Sequence, residues 1–155
     1  MEKILYVTDL DGTLLNQKDR INEKSLEIIN GLVEEGMLFT YATARSLVSA
    51  SVVTEGLTTK IPVIAYNGAF IFQPDTGEIL SREDFGRDER AHAAEVIRAN
   101  GVWPLVYAFV DGVERVSWLS GRENDGIRRY LSLRKGDRRL RPVEDDEKLY
   151  QGEIF

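Results

Sequence analysis

In the first half of the chain, short apolar runs alternate with helix-spaced patterns. Ile4, Leu5, Tyr6 and Val7 stand together, which predicts a strand over 3–8 buried on both faces. Asn22 is a good N-cap for a helix in which Leu26, Ile29 and Val33 keep helical spacing, and Gly36 after Glu34-Glu35 is its stop. A second strand is expected over 37–42, with Thr43 where it ends. Ser46 to Glu55 reads as a helix closed by Gly56, and Ile61 to Tyr66 as a third strand. Strand, helix, strand, helix, strand predicts an open parallel sheet with right-handed crossovers, whose ligands sit beyond the carboxyl ends of the strands. Asp9, Thr43 and Asn67 each follow one of those three strand ends, so three separate segments converge on one edge.

The pattern then changes. Phe70 to Gln73 and Glu78 to Ser81 predict a hairpin around Asp75-Thr76-Gly77. A helix is expected over 88–100, with Ala91, Ala94 and Ile97 on one face and Gly101 at its end. Leu105 to Val110 and Val113 to Leu119 flank Asp111-Gly112, a strong hairpin signal. A helix near Asp125 to Leu133 follows, then a tail of mixed charge. This half reads as α+β, and a domain change near Ser81 to Asp88 divides the chain into 1–83 and 84–155. No internal repeat or low-complexity tract stands out.

Composition narrows the chemistry. A chain of 155 residues suffices for one domain with a core, or one domain and part of another. The net charge of −6 argues against broad nucleic-acid binding. With no cysteine, disulfides, thiol nucleophiles and cysteine-held metals are excluded. The single histidine, His92, leaves no basis for a histidine-rich metal site and reads as an ordinary helix residue. No segment approaches the roughly 20 apolar residues that span a bilayer. MEKILYV is too short for a secretory signal, so no membrane association and a cytoplasmic location are expected.

The remaining question is DLDG at 9–12. A calcium loop starting at Asp9 needs glycine at Leu14 and an acid at Arg20, so that reading fails. No Walker-type loop or GxGxxG accompanies the first strand. Taken alone, the pair fits a solvated acidic turn as well as a reactive device. As a device, one carboxylate attacks phosphorus and forms an aspartyl phosphate, while the other protonates the leaving oxygen. Gly12 lets the chain turn so that backbone N–H groups can hold phosphate oxygens.

DLDGTLL, TYATARS at the second strand end and IAYNGAFIF at the third together resemble the haloacid dehalogenase superfamily. The NGA element followed by GEIL is similar to the Cof-type branch, phosphatases with a large α/β cap inserted after the second motif. The resemblance covers essentially the whole chain and is most specific over residues 4–16, 39–46 and 61–80. It implies a Rossmann-like α/β core with a parallel sheet and an α+β cap, both incomplete here. It also implies roles. Asp9 would be the nucleophile and a Mg²⁺ ligand through its carboxylate. Asp11 would be the general acid/base and would lend its backbone carbonyl to the metal. Leu10, Thr43 and Ala44 would hold the phosphate, the first and third through backbone N–H groups. Arg45 is open between substrate contact and a salt bridge within the sheet edge, and Asn67 would shape the pocket.

Two departures from the branch stand out. Its second motif reads threonine-glycine-arginine, where this chain has Thr43-Ala44-Arg45. Its later lysine motif and second acidic metal motif are not recognisable before Phe155. Gly136-Asp137 resembles the acidic motif only superficially, and Asn124-Asp125 lacks the preceding residues. The expectation is an N-terminal portion of a Mg²⁺-dependent phosphatase acting on small phosphorylated metabolites such as sugar phosphates. A phosphomutase or phosphotransferase of the same superfamily is the enzymatic alternative. A non-catalytic, truncated phosphate-binding protein, open to self-association through exposed sheet edges, is the other. The basic run Arg128, Arg129, Arg134, Lys135, Arg138, Arg139 and Arg141 reads as a solvated face or an aid to steering phosphorylated substrates, offset by Glu144 to Glu147. Trp103 and Trp118 read as cap core.

Overall fold

A computed structural model describes residues 3–155; Met1 and Glu2, the start of the MEKILYV stretch, lie outside the described residues. The chain forms two compact units, Met1–Glu83 and Asp84–Phe155.

In the first unit, β1 (Leu5–Thr8) is followed by a tight turn over Leu10–Leu14, then α1 (Glu23–Glu34), β2 (Leu38–Tyr41), α2 (Leu47–Val53) and β3 (Val63–Ala65). The hairpin strands β4 (Phe70–Phe72) and β5 (Ile79–Arg82) complete it. The local reasons match the residue types. Asn22 caps α1 by accepting the Ser25 N–H at 2.9 Å, and Ser46 caps α2 by accepting the Ser49 N–H at 3.1 Å. The strands β1 and β2 are parallel, with Leu5 opposite Leu38 and Thr8 opposite Tyr41. The link from β2 to β3 is thinner than the sequence predicts: it is a single parallel bridge, Ala42 to Ile64. Pro62 offers no N–H at the start of β3, and β3 then pairs antiparallel with β4. The core of this unit holds Leu10, Val63, Ala65 and Phe70, none of them exposed. Full burial of a large apolar side chain of this kind contributes about 1.5–3 kcal/mol.

One expectation is overturned. Ile4, Leu5, Tyr6 and Val7 are not buried on both faces; they are 47–61% exposed. The reason is topological. The described ladder gives β1 one neighbour, β2, so its far edge and much of both faces stay open.

In the second unit, α3 (Arg87–Ala99) precedes the hairpin β6 (Val106–Val110) and β7 (Val113–Leu119). These are followed by α4 (Asp125–Ser132), β8 (Leu140–Val143), α5 (Asp146–Leu149) and β9 (Glu153–Ile154). The sheet order is β8-β7-β6-β9, with β7 and β8 parallel and the other pairs antiparallel. Val106, Val143 and Leu149 form its core, with Leu119, Tyr150 and Ile154 against them. The mixed-charge tail is therefore structured. Asp145 caps α5 by accepting the Lys148 N–H at 2.7 Å, and β8 is held by its long-range partner β7.

The basic run is corrected too. Arg139 is inside the unit, its side chain 11% exposed, between Glu114 at 2.7 Å and Asp137 at 2.7 Å. Burial works against its charge, but hydrogen bonds and the field of the two carboxylates outweigh that and hold it firmly protonated. Arg128 pairs with Asp125. Among the described residues, no ion pair joins Glu144–Glu147 to the run, although Asp145 lies within the field of Arg141; Asp146 holds Arg98 and Asp145 holds Lys148. Trp118 is core, its indole N–H donating to Glu123, while Trp103 is half-buried under the Arg122 guanidinium. His92 is exposed on α3.

Candidate active site

Backbone hydrogen bonds lock together the three strand ends of the first unit. The Ala42 N–H donates to the Thr8 carbonyl at 2.8 Å, and the Thr43 N–H donates to the Ile64 carbonyl at 3.0 Å. Past β3, the chain folds back through positive φ at Tyr66 and Asn67. That turn lets the Tyr66 N–H reach the Arg45 carbonyl and the Asn67 N–H reach the Thr43 carbonyl, each at 3.0 Å. Asp9, Thr43 and Asn67 thus leave one sheet edge side by side.

The turn after β1 explains how two nearby aspartates are presented. Asp9 is extended, with φ −79° and ψ 160°. The chain then bends through Gly12 at φ 76°, a left-handed value that suits glycine, and closes with the Leu15 N–H on the Leu10 carbonyl at 2.9 Å. Leu10 and Leu15 are buried and anchor the loop, which leaves Asp9, Asp11, Gly12 and Thr13 exposed.

The side chains divide into held and unheld groups. Asp11 is gripped in bidentate fashion by Arg45: Nε donates to Oδ2 at 2.9 Å and the terminal nitrogen to Oδ1 at 2.6 Å. These bonds hold the Asp11 carboxyl below its ordinary range. Arg45 also leans toward Asp19 at 3.9 Å and donates to the Ser49 hydroxyl at 3.4 Å. Thr43 is 3% exposed, and its hydroxyl oxygen accepts the Arg45 backbone N–H at 3.2 Å. Its hydroxyl proton remains available to an acceptor at the edge. Ala44 and Asn67 are both exposed. Of the two roles open to Arg45, the structure contains the salt bridge within the edge, to Asp11.

The donor chemistry can be set against a Mg²⁺ ion. The Asp9 carboxylate and the Asp11 carbonyl are oxygen donors of the class Mg²⁺ prefers, and that ion keeps several waters when bound. They supply part of a cage. Among the described residues, no group of three or more His, Asp or Glu side chains could hold a metal. Asp137, in the second unit, is committed to Arg139. No helix among the described residues is long and apolar enough to cross a membrane.

Comparisons with known proteins agree with one another. The sequence profile of the haloacid dehalogenase-like hydrolases matches residues 6–149. The chain is 33% identical over 100 residues to the 5-amino-6-(5-phospho-D-ribitylamino)uracil phosphatase YwtE of Bacillus subtilis, a stretch covering 64% of this chain and 34% of that protein. It is 30% identical over 127 residues to the HMP-PP phosphatase of Serratia proteamaculans, covering 76% of this chain and 46% of that one. Among solved structures, TM0651 from Thermotoga maritima is similar with a TM-score of 0.66 and 27% identity, covering 99% of this chain and 54% of that chain. The fold of the subclass IIB sugar phosphatase BT4131 matches with a TM-score of 0.68 at 19% identity, over 99% of this chain and 56% of that one. The chain thus spans about half the length of these solved structures, and its match covers less than half of either curated relative.

Proposed function

The chain belongs to the haloacid dehalogenase-like hydrolases, and on that premise we propose that it carries the nucleophile half of a Mg²⁺-dependent phosphatase site. The substrate class is small phosphorylated metabolites. The observation that carries this reading is the bonding of three strand ends into one edge, with exposed Asp9 and the Thr43 hydroxyl leaving it together. In this reading the first unit, which ends at Glu83, is the N-terminal part of the core, and the second, which begins at Asp84, is part of the cap.

The Asp9 carboxylate attacks phosphorus in line, a P–O bond to Asp9 forms, and the bond to the leaving alcohol breaks. Asp11 delivers the proton to the departing oxygen, then takes one from the water that releases phosphate. The Thr43 hydroxyl and the backbone N–H groups of Leu10 and Ala44 hold the phosphoryl oxygens. Arg45 keeps Asp11 ionised while it grips it; an arriving phosphoryl dianion competes for that guanidinium, and the released Asp11 takes from solvent the proton it then delivers to the departing oxygen. Asp9 and the Asp11 carbonyl would hold Mg²⁺, which when bound reduces repulsion between the anionic nucleophile and the anionic phosphate. A cytoplasmic setting, where such metabolites are made and consumed, belongs to the same reading.

The test is hydrolysis of para-nitrophenyl phosphate with and without Mg²⁺ by the chain and by Asp9→Asn. Mg²⁺-dependent release of inorganic phosphate that Asp9→Asn abolishes is the expected result. Turnover by Asp9→Asn equal to the unaltered chain refutes the nucleophile. With a sugar phosphate as the substrate instead, isomerised product without phosphate release points to the mutase alternative. A second reading, phosphate binding without turnover, is favoured by the two-donor metal site. It predicts saturable phosphate binding with no hydrolysis.

A further inference from the structure

Strand register puts two arginines on one face of the second unit's sheet. Ser117 stands opposite Arg141 in the parallel β7–β8 pair, and Arg115 lies two residues before Ser117 on the same face. Farther along, that face is closed by the packing of Val106, Val143 and Leu149 with Ile154. The arginine end instead opens into a concavity of about 400 Å³ lined by Val110, Asp111, Val113, Arg115, Arg141 and Gln151 among others.

Neither guanidinium has a carboxylate partner among the described residues. Arg141 donates to the Ser117 hydroxyl at 3.2 Å, the Lys148 carbonyl at 2.9 Å and the Gln151 side-chain oxygen at 2.6 Å. Arg115 donates to the Arg138 carbonyl at 2.8 Å. Every one of these acceptors is neutral. Arg139, by contrast, is neutralised by Glu114 and Asp137, and Arg98 by Asp146. Asp145 lies within the field of Arg141 but is tied to Lys148 through the ammonium at 3.2 Å and the backbone N–H. Asp111 stands on the rim at the β6–β7 turn.

Positive charge is therefore held in place by neutral oxygens at a concave surface, with no carboxylate in an ion pair with either guanidinium among the described residues. Ser117 is 1% exposed, so its hydroxyl is a fixed anchor for the Arg141 fork. The Gln151 oxygen is taken by Arg141, which turns the amide N–H groups of Gln151 to other acceptors. Planar guanidinium donors with preset direction select oxyanions. We propose that this concavity binds the oxyanion group of a small metabolite, phosphate or carboxylate, between Arg115 and Arg141, with the Gln151 amide as a neutral donor. Asp111 accepts from a hydroxyl of the same ligand. The site is built from residues of Asp84–Phe155 alone and does not depend on Asp9.

The experiment is a titration of the full ¹⁵N-labelled chain with sodium phosphate and, separately, with sodium succinate. The arginine Nε–H and Gln151 amide resonances are followed. Saturable shifts at Arg115, Arg141 and Gln151 are expected, with binding at least about tenfold weaker in Arg141→Lys, which keeps the charge but loses the fork, and in Arg115→Ala. Arg115→Ala forfeits one bond to a backbone carbonyl, so it carries the test if Arg141→Lys fails to fold. A response to phosphate alone identifies a phosphoryl ligand, and a response to both identifies a general oxyanion site. Shifts confined to the Leu10 and Thr43 region, or affinities unchanged in both variants, overturn the proposal.

Discussion

Replacing Arg139 by methionine should destabilise the second unit in a way that depends on pH with a definite sign. Methionine keeps much of the side-chain volume and removes the charge. Arg139, Glu114 and Asp137 are 11%, 20% and 17% exposed at their side chains, so this is a mostly desolvated triad. Removing one member of a fully buried ion pair costs about 3–5 kcal/mol. Water still reaches the two carboxylates here, which lowers the expectation to about 2–4 kcal/mol near pH 7. For a unit of this size that is a fall in melting temperature of at least about 8 °C. The Arg139 hydrogen bonds hold the Asp137 carboxyl below the ordinary aspartate value. A depressed folded pKa contributes stability above the unfolded pKa and loses it as pH falls through the folded one. The intact protein should therefore lose this contribution below about pH 4, whereas the variant lacks it throughout, so the gap between them narrows on acidification. Urea unfolding at about pH 7 and about pH 3, read at the two tryptophans of the unit, measures both quantities. A neutral-pH deficit below about 0.5 kcal/mol, or a deficit that widens in acid, refutes the reasoning.

Other outcomes follow from single contacts. Gly152→Ala drives a Cβ into the Phe109 carbonyl oxygen at φ 96°, whereas at Gly136, φ 85°, an added Cβ meets nothing within 4 Å. Thermal melts should show a loss of about 3 kcal/mol for the first and about 1 kcal/mol for Gly136→Ala; equal losses would remove the steric argument. Asn22→Ala forfeits the cap on α1 and should cost about 1 kcal/mol, visible in urea titration of the first unit. Thr43→Val removes a buried hydroxyl at the strand edge and should weaken inorganic phosphate binding there about tenfold by calorimetry, while leaving the Arg115 and Arg141 resonances in place.

The features legible in the chain are those whose cause is local. Asn22 and Ser46 cap helices because their own side chains reach the N–H three residues on. The Asp111-Gly112 turn forms where its residue types favour positive φ. The strand-end positions of Asp9, Thr43 and Asn67 are legible for a related reason, since apolar runs and their stops mark strand ends. What depends on distant partners is not legible. LRPV at 140–143 lacks alternation and contains Pro142, and it becomes a strand only because β7 lies beside it. The exposure of Ile4 to Val7 depends on how many strands flank β1, which no local pattern encodes. In the sequence Arg139 is one charge in a basic run, and its burial is set by Glu114, 25 positions earlier. The Asp11–Arg45 grip likewise joins residues 34 positions apart, and only the turn at Gly12 brings them together.

The open edge of β1 has a consequence in time rather than in space. Leu5 to Thr8 are synthesised about 33 residues ahead of their parallel partner, Leu38 to Tyr41. At synthesis rates of about 5–20 residues per second, the apolar strand waits roughly two to seven seconds for its first neighbour. The hairpin β6–β7, by contrast, has its partner within a few residues. The strand β1 thus waits longer for shelter than β6, which makes Ile4 to Val7 a stretch where a folding helper has work to do during translation.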